Sequence, residues 1–252
     1  VDIQPEWSKD GTKIIFKSNR LSPDPVQSFK IYTMNADGTQ QEQIFTDKNY
    51  HGYPDWSPDE THVIFNSFDP GNNELFTASI ATGQSSQITT DSGFDDSGRW
   101  SPDGTKIAFF STRTGGSELY LLPVDNNGIR TGFPTRITSN SNRDEQPRWS
   151  PDGKQIAFVS DREGSPGFFR LYVMDANGKN VRGLFDPSRH QEGDLEFAWS
   201  PDGKQIALVN RISGFSTNRR GLYIVNVKTL DRQLVAPAFP NRFSPDWSPD
   251  GS

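Results

Sequence analysis

Every tryptophan of this chain stands at the head of the same pentapeptide. The sequence Trp-Ser-Pro-Asp-Gly occurs unchanged at 100–104, 149–153, 199–203 and 247–251, as WSPDE at 56–60 and as WSKDG at 7–11. Successive tryptophans are therefore 44 to 50 residues apart. A nearly fixed period of this length indicates an array of repeated structural units, such as a solenoid or a propeller.

Each period contains three short apolar segments after the pentapeptide. In the fourth period they read QIAF at 155–158, RLYVM at 170–174 and VRGLF at 181–185, separated by Gly, Pro, Asp and Asn. Such segments are typical of antiparallel strands. With the strand that carries the tryptophan, each period predicts four strands, which we call A to D. Four-stranded units repeated around an axis are propeller blades. The sequence therefore predicts an all-β fold, a β-propeller of four-stranded antiparallel blades.

The repeats predict one propeller domain over residues 1–252. We expect five complete blades, at about 3–46, 52–90, 95–139, 144–185 and 192–236, followed by the inner strand of a sixth blade at 243–248. This pattern favours a six-bladed ring whose last blade is cut short. A five-bladed ring with a surplus strand is the alternative.

The pentapeptide fits a tight turn that joins strand A to strand B. Proline restricts φ, aspartate bonds to nearby backbone, and glycine accepts positive φ. A tryptophan just before this turn can pack as a large apolar wedge between neighbouring blades. We therefore assign a structural role to Trp7, Trp56, Trp100, Trp149, Trp199 and Trp247.

The order of these motifs resembles a known repeat. WSPDG followed by KIAF (106–109), then LYVM with DANG (171–178), then ITS (137–139) resembles the TolB-type propeller repeat, a relative of the WD-repeat blade. The resemblance implies a propeller that binds protein partners, as periplasmic TolB does, and a periplasmic or extracellular location. Similar blades also occur in polysaccharide lyases and in the gating domains of serine peptidases, so these remain the alternatives.

Composition and motifs exclude several function classes. The net charge of −6 and the pI near 5.1 argue against nucleic-acid binding. No apolar run is long enough to cross a membrane, and the absence of cysteine excludes thiol catalysis. The sequence contains neither G-x-S-x-G nor a glycine-rich phosphate loop. We therefore expect a binding protein that is not an enzyme and that has no cofactor.

The two faces of the predicted ring differ in sequence. The A–B and C–D turns are nearly uniform and share one face, the turn face, whereas the B–C and D–A connections vary and share the other, the loop face. Variable loops on a rigid scaffold commonly bind partners. At the loop face and channel mouth we expect a protein or peptide, with a basic peptide or a cation favoured at an acidic mouth. The candidate binding residues are Tyr50, His51, Tyr53, Phe94, Asp95, Asp96, Asp144, Glu145, His190, Glu192 and Arg242.

A regular spacing predicts ion pairs within blades. An arginine follows an aspartate after eighteen residues in three blades, in the pairs Asp2–Arg20, Asp95–Arg113 and Asp144–Arg162. An A–B hairpin folded at its glycine brings each pair together. We interpret these residues as structural; a ring of ligand-binding carboxylates is the alternative.

A metal site is the weaker alternative. His51 and His190 both fall in predicted D–A loops, and Gln191 or Glu192 could complete a set of ligands. The resemblance to oligogalacturonate lyases, which hold a metal through several His and a Gln, points the same way. Two loop histidines are more often solvated surface residues, so we expect no metal.

Overall fold

The computed structural model describes residues 1–20, 29–45, 51–68, 71–163, 166–185, 194–211, 220–239 and 244–251. These residues form strands and turns and contain no helix. The strands build five separate four-stranded sheets, each in chain order and antiparallel throughout. The prediction of an all-β propeller of four-stranded antiparallel blades is confirmed for these five blades.

The strands are as follows. Blade 1 contains β1 (Asp2–Trp7), β2 (Lys13–Ser18), β3 (Lys30–Asn35) and β4 (Glu42–Gln43). Blade 2 contains β5 (His51–Trp56), β6 (His62–Ser67), β7 (Glu74–Ser79) and β8 (Ser85–Gln87). Blade 3 contains β9 (Asp95–Trp100), β10 (Lys106–Ser111), β11 (Glu118–Pro123) and β12 (Thr135–Arg136). Blade 4 contains β13 (Asp144–Trp149), β14 (Gln155–Ser160), β15 (Arg170–Asp175) and β16 (Arg182–Gly183). Blade 5 contains β17 (Asp194–Trp199), β18 (Gln205–Arg211), β19 (Arg220–Asn226) and β20 (Arg232–Phe239).

The sixth copy of the pentapeptide behaves differently. Residues 244–251 form no strand, whereas the sequence predicted an inner strand at 243–248. A strand requires a ladder of hydrogen bonds to a neighbour, and none of the described residues pairs with this segment. The segment still contacts the blades on both of its sides. Trp247 Nε1 donates to the carbonyl of Ala198 in blade 5 (3.2 Å), and Asp246 Oδ2 accepts from Trp7 N in blade 1 (2.9 Å).

Local hydrogen bonds explain why the pentapeptide turns so tightly. In blade 3, Ser101 Oγ donates to Asp103 Oδ1 (2.6 Å), and the same oxygen accepts from Thr105 N (3.0 Å). Gly104 N donates to the Ser101 carbonyl (2.9 Å), and Gly104 has a φ of 73°. Glycine adopts this left-handed region without a steric penalty. The serine, aspartate and glycine therefore each favour the turn, although blade 2 makes the same turn with Glu60 at a φ of 60°.

The tryptophans connect each blade to the one before it. Four indole N–H groups donate to a backbone carbonyl of the previous blade. The acceptor is in each case the residue just before that blade's own tryptophan. The bonds are Trp56 to Glu6 (3.2 Å), Trp149 to Arg99 (3.2 Å), Trp199 to Arg148 (3.1 Å) and Trp247 to Ala198 (3.2 Å). The four apolar clusters of the core each combine residues of two neighbouring blades. The core therefore lies between blades, and the tryptophan spans each boundary.

Trp199 and Trp100 offer a matched test of the indole hydrogen bond. They are 8% and 6% exposed, but Trp100 Nε1 has no hydrogen-bond partner among the described residues. Both Trp→Phe changes remove a similar volume, and only Trp199→Phe also removes a hydrogen bond. We expect Trp199→Phe to lower the free energy of unfolding by about 1 kcal/mol more than Trp100→Phe in urea denaturation. Equal losses would show that the indole bond does not stabilise the boundary.

Candidate functional site

The inner strands enclose a narrow channel. Three residues before the tryptophan, Gln4, Tyr53, Ser97 and Gln146 have φ values of 55°, 49°, 54° and 54°, in the left-handed region. The register of strands A and B shifts beside each of them, which marks a β-bulge. A bulge redirects side chains, and these four residues line a cavity together with Glu196 and Ser244. The cavity has a volume of about 10 Å³, room for about one water molecule.

An ion network crosses this channel. Glu6 in blade 1 accepts from Arg148 in blade 4 through both oxygens, with Nη1–Oε2 at 3.0 Å and Nη2–Oε1 at 2.7 Å. Arg99 in blade 3 adds a contact of 3.0 Å between Nη2 and Glu6 Oε1. All three residues directly precede a tryptophan, so the network lies next to the turn face. One carboxylate therefore ties together three blades that are far apart in the sequence.

Two more carboxylates occupy the equivalent positions in other repeats. Asp55 Oδ2 accepts from Trp100 N and Asp246 Oδ2 accepts from Trp7 N, both at 2.9 Å. Burial raises the pKa of Asp55 to about 6; for Asp246, burial and the nearby charge of Glu6 raise the pKa to about 7. Burial also acts on Glu6, but Arg148 and Arg99 outweigh it and lower the pKa of Glu6. The arginines therefore compensate Glu6 more fully than the two aspartates.

A buried lysine lies close to the channel. Lys17 Nζ is 4.9 Å from the ring centroid of Tyr53 and 5.2 Å from that of Phe29. Burial lowers the pKa of Lys17 to about 8, while the charges of Asp96 and Glu196 oppose this shift. Burial raises the pKa of Asp96 to about 6 and also raises the pKa of Glu196. Acidic groups therefore outnumber this one ammonium group.

The aspartates and arginines with the regular spacing are in contact in three blades. The nitrogen–oxygen distances are 2.9 Å for Arg20–Asp2, 2.7 Å for Arg113–Asp95 and 2.8 Å for Arg162–Asp144. Each guanidinium also lies over two aromatic rings of its own blade. Asp95 and Asp144 are fully buried beneath their arginines. A role for these two aspartates in binding a partner stays a prediction.

His51 does not lie in a loop as the sequence analysis expected. It is the first residue of β5 and is 1% exposed. Its ring packs against Phe45 and Phe65, with centroid distances of 5.3 and 4.9 Å. Aromatic packing thus takes the place that an Asp–Arg pair has in blades 1, 3 and 4. The imidazole is buried in this conformation, and a binding role for His51 stays a prediction.

Several candidate residues fall outside the described ranges. These are Tyr50, His190, Gln191, Glu192 and Arg242. Within the described ranges, no group of three or more His, Cys, Asp or Glu side chains is placed to hold a metal ion. The same part of the chain has no helix long and apolar enough to span a membrane.

The loop face exposes three phenylalanines in neighbouring blades. Phe94 precedes β9 and is 48% exposed, Phe68 follows β6, and Phe168 lies just before β15; the last two are also exposed. Tyr53 is partly exposed and lines the channel cavity. Glu145 is partly buried, and burial raises its pKa. Of these five, sequence reasoning missed Phe68 and Phe168, because its candidates lay in the D–A connections and on the inner strands, whereas these two lie in B–C connections.

The chain matches a known family of propeller domains. Residues 21–211 match the family described as TolB beta propeller domain. This match covers more than half of the chain, and the chain belongs to that family. None of the curated proteins compared with the chain matches it significantly in sequence.

Solved structures show the same architecture. TolB from Acinetobacter baumannii is 25% identical, with a TM-score of 0.80 over 98% of this chain and 57% of that protein. The chain therefore spans less than two thirds of that protein's length. A putative TolB from Agrobacterium tumefaciens is 21% identical, with a TM-score of 0.79 over 100% of this chain and 87% of that one. An oligogalacturonate lyase from Vibrio parahaemolyticus is 20% identical, with a TM-score of 0.68 over 99% and 68%.

The channel network predicts a large effect of one small substitution. Glu6→Gln keeps the shape of the side chain but leaves Arg99 and Arg148 without their carboxylate. Breaking one side of a buried ion pair costs about 3–5 kcal/mol in the free energy of unfolding. The control is Glu42→Gln in the same blade, where the side chain is exposed and the change is within about 0.5 kcal/mol. A loss below about 1 kcal/mol for Glu6→Gln in urea denaturation would contradict the network.

The raised pKa of Asp246 predicts a pH dependence of stability. In the folded protein Asp246 keeps a proton up to about pH 7, whereas the unfolded chain loses it near about pH 4. The folded state thus binds more protons in this window, so the free energy of unfolding falls as pH rises. Asp246→Asn keeps an acceptor for Trp7 N and does not ionise. Between about pH 5 and pH 8, we expect the free energy of unfolding to fall by about 1–3 kcal/mol less in this variant than in the parent protein.

The control for this pH series is Asp37→Asn, which removes an exposed carboxylate from a C–D turn. In this variant, the free energy of unfolding should fall with pH as much as it does in the parent protein. The interpretation of Asp246 is wrong if both substitutions change the fall equally.

Proposed function

We propose that this chain is a non-catalytic binding propeller of TolB type, which engages a protein or peptide through the loop face and the channel mouth. The proposal rests on the ion network and the small cavity in the channel. Arg99 and Arg148 both bind Glu6, and the cavity beside them has room for about one water molecule. This cavity is too small to hold a saccharide or a peptide. Contact with a ligand therefore falls to the surface around the mouth.

The loop face has the residue types that bind partners well. Phe68, Phe94 and Phe168 expose aromatic surface on blades 2, 3 and 4. Aromatic and arginine side chains dominate the hot spots of protein interfaces. Arg143 is half-exposed, pairs with Asp161 (3.2 Å) and lies over the ring of Phe169 (4.6 Å), which adds a guanidinium to the same face. These residues support a protein or peptide as the partner.

The charge around the channel favours a basic partner group or a cation at the mouth. Asp96 and Glu196 lie near Lys17, whereas Glu145 lies near Arg143. Arg148 and Arg99 also act on Glu196. Within the described residues, Asp96 thus lacks an arginine among the charges that act on it. Complementary charge mainly increases specificity and association rate. The binding roles of Tyr50, His51, His190, Glu192 and Arg242, of Asp95 and of Asp144 remain predictions.

We also propose that residues 244–251 take a sixth position in the ring. Asp246 accepts from Trp7 N as Asp55 accepts from Trp100 N. Pro249 lies against Gly11 as Pro58 lies against Gly104. The segment thus makes the same contacts with blade 1 that blade 2 makes with blade 3. These contacts support a ring of six positions over a five-bladed ring with a surplus strand.

Family membership supports a periplasmic or extracellular location, which we also propose. The alternative function is a propeller that belongs to an enzyme, as a polysaccharide-lyase-like domain or as a peptidase gate. The likeness to the lyase structure is below 25% identity and shows the fold alone.

Peptide selection on the immobilised protein tests the binding face. We expect random-peptide libraries to give binders whose affinity falls about tenfold in Phe94→Ala, the loss of one interface hot spot of roughly 1.4 kcal/mol. The control is Phe133→Ala, which removes an aromatic ring that is 84% exposed on the C–D connection of blade 3. Binders that lose affinity only with Phe133→Ala would place the site elsewhere.

A second assay separates binding from catalysis. The protein is incubated with acidic oligogalacturonides and a divalent metal, and unsaturated product is followed by ultraviolet absorbance. We expect no turnover. Turnover that disappears in His190→Ala, with the fold retained, would replace the proposal by the lyase alternative.

A further inference from the structure

A basic groove lies on the turn face between blades 4 and 5. It has a volume of about 780 Å³ and is lined by Arg182 of β16, Lys204 after the pentapeptide of blade 5 and Lys228 of the next C–D turn. No Asp or Glu is among its lining residues. The volume is in the range of about 300–1,000 Å³ that is typical of ligand sites. This concentration of positive charge stands out on a chain whose net charge is −6.

The repeats provide an internal comparison for these three positions. Arg182 pairs across strands C and D with Val173, Lys204 N donates to the aspartate of the pentapeptide, and Lys228 is the second residue after the start of its turn. The residues at the same positions are Glu42, Thr61 and Ala81 between blades 1 and 2, Ser86, Thr105 and Asn127 between blades 2 and 3, and Thr135, Lys154 and Asn177 between blades 3 and 4. Apart from Lys154, the residues at the other three boundaries are neutral or acidic, so only the boundary between blades 4 and 5 has basic residues at all three positions.

A strained leucine lies in the same groove. In each C–D turn, one backbone N–H donates to the carbonyl of the residue that begins the turn. In blades 1 to 4 the donor is a glycine: Gly38, Gly83, Gly128 and Gly178, respectively. All four glycines have positive φ. In blade 5 the donor is Leu230, with a φ of 64° and 43% exposure. A leucine in this region is disfavoured by the Cβ atom. Residues held in such conformations by the surrounding structure cluster at ligand-binding and other functional sites.

The basic groups keep capacity for a ligand. Arg182 Nη1 donates to the Val227 carbonyl (3.0 Å), which fixes the guanidinium at the boundary. Lys204 Nζ is 3.1 Å from Asp202, but both side chains are more than half exposed, and such a pair contributes little. Asp231 is engaged by Thr229 Oγ1 (2.6 Å).

We propose that this groove binds an acidic segment of a partner protein, with carboxylates at Arg182, Lys204 and Lys228 and an apolar side chain against Leu230. Guanidinium and ammonium groups form strong, charge-assisted hydrogen bonds to carboxylates, as they also do to phosphates. The exposed leucine favours a peptide over an anionic saccharide, since a saccharide has no aliphatic side chain to cover it. This site lies on the opposite face from the one in the proposed function and does not depend on it.

Fluorescence anisotropy with a labelled peptide of alternating glutamate and leucine tests the proposal. We expect saturable binding to the intact chain, weakened about three- to tenfold by Arg182→Gln combined with Lys228→Gln. The matched control combines Lys13→Gln and Lys106→Gln, which remove the same charge from exposed positions at the starts of β2 and β10. Absence of binding, or an equal loss in the control, would overturn the proposal.

Leu230→Gly separates a binding role from a structural one. Glycine relieves the left-handed strain, so the melting temperature should hold or rise while affinity for the glutamate–leucine peptide falls. Unchanged affinity for the peptide in this variant would contradict the proposed apolar contact with Leu230. Tighter binding of a sulfated oligosaccharide than of the peptide would identify a different class of ligand and overturn the proposed partner.

Discussion

The structure depends on how one tryptophan holds two blades together. The described strands form five sheets that share no ladder hydrogen bonds, so side chains must join one blade to the next. The indole fills the boundary, and in blades 2, 4 and 5 its N–H reaches the backbone of the previous inner strand. The turn that follows then fixes where strand B begins. Because this unit recurs at a nearly constant spacing, the boundaries resemble one another, and that of Trp100 differs in lacking the indole hydrogen bond among the described residues.

The same inner strands determine what the channel can do. Residues that precede the tryptophans point to a common axis, and in this chain they are mainly charged. Glu6 takes both guanidinium groups, which stabilises a closed centre and leaves Asp55 and Asp246 with raised pKa values. A channel occupied by its own side chains is suited to a scaffold. The variable surfaces of the ring are then available for binding partners.

The sequence predicted the features that repeat and missed those that do not. The period, the turns and the eighteen-residue spacing from Asp95 to Arg113 were readable because several blades share them. His51 was misplaced because blade 2 replaces the ion pair by aromatic packing, which spacing alone does not reveal. The contact of Glu6 with Arg148 was missed because it joins residues 142 positions apart. Alignment of the repeats would have shown that a charged residue precedes most of the tryptophans, which was a signal for this network. The basic groove likewise depends on a comparison of equivalent positions in different blades.

The central claim is that the loop face binds the partner. Hydrogen–deuterium exchange with and without a selected peptide at saturation measures this directly. The account predicts slower exchange in the D–A segments 89–94 and 138–143, with little change in the pentapeptide turns 100–104 and 149–153. Protection confined to the pentapeptide turns, with unchanged exchange in the D–A segments, would contradict it.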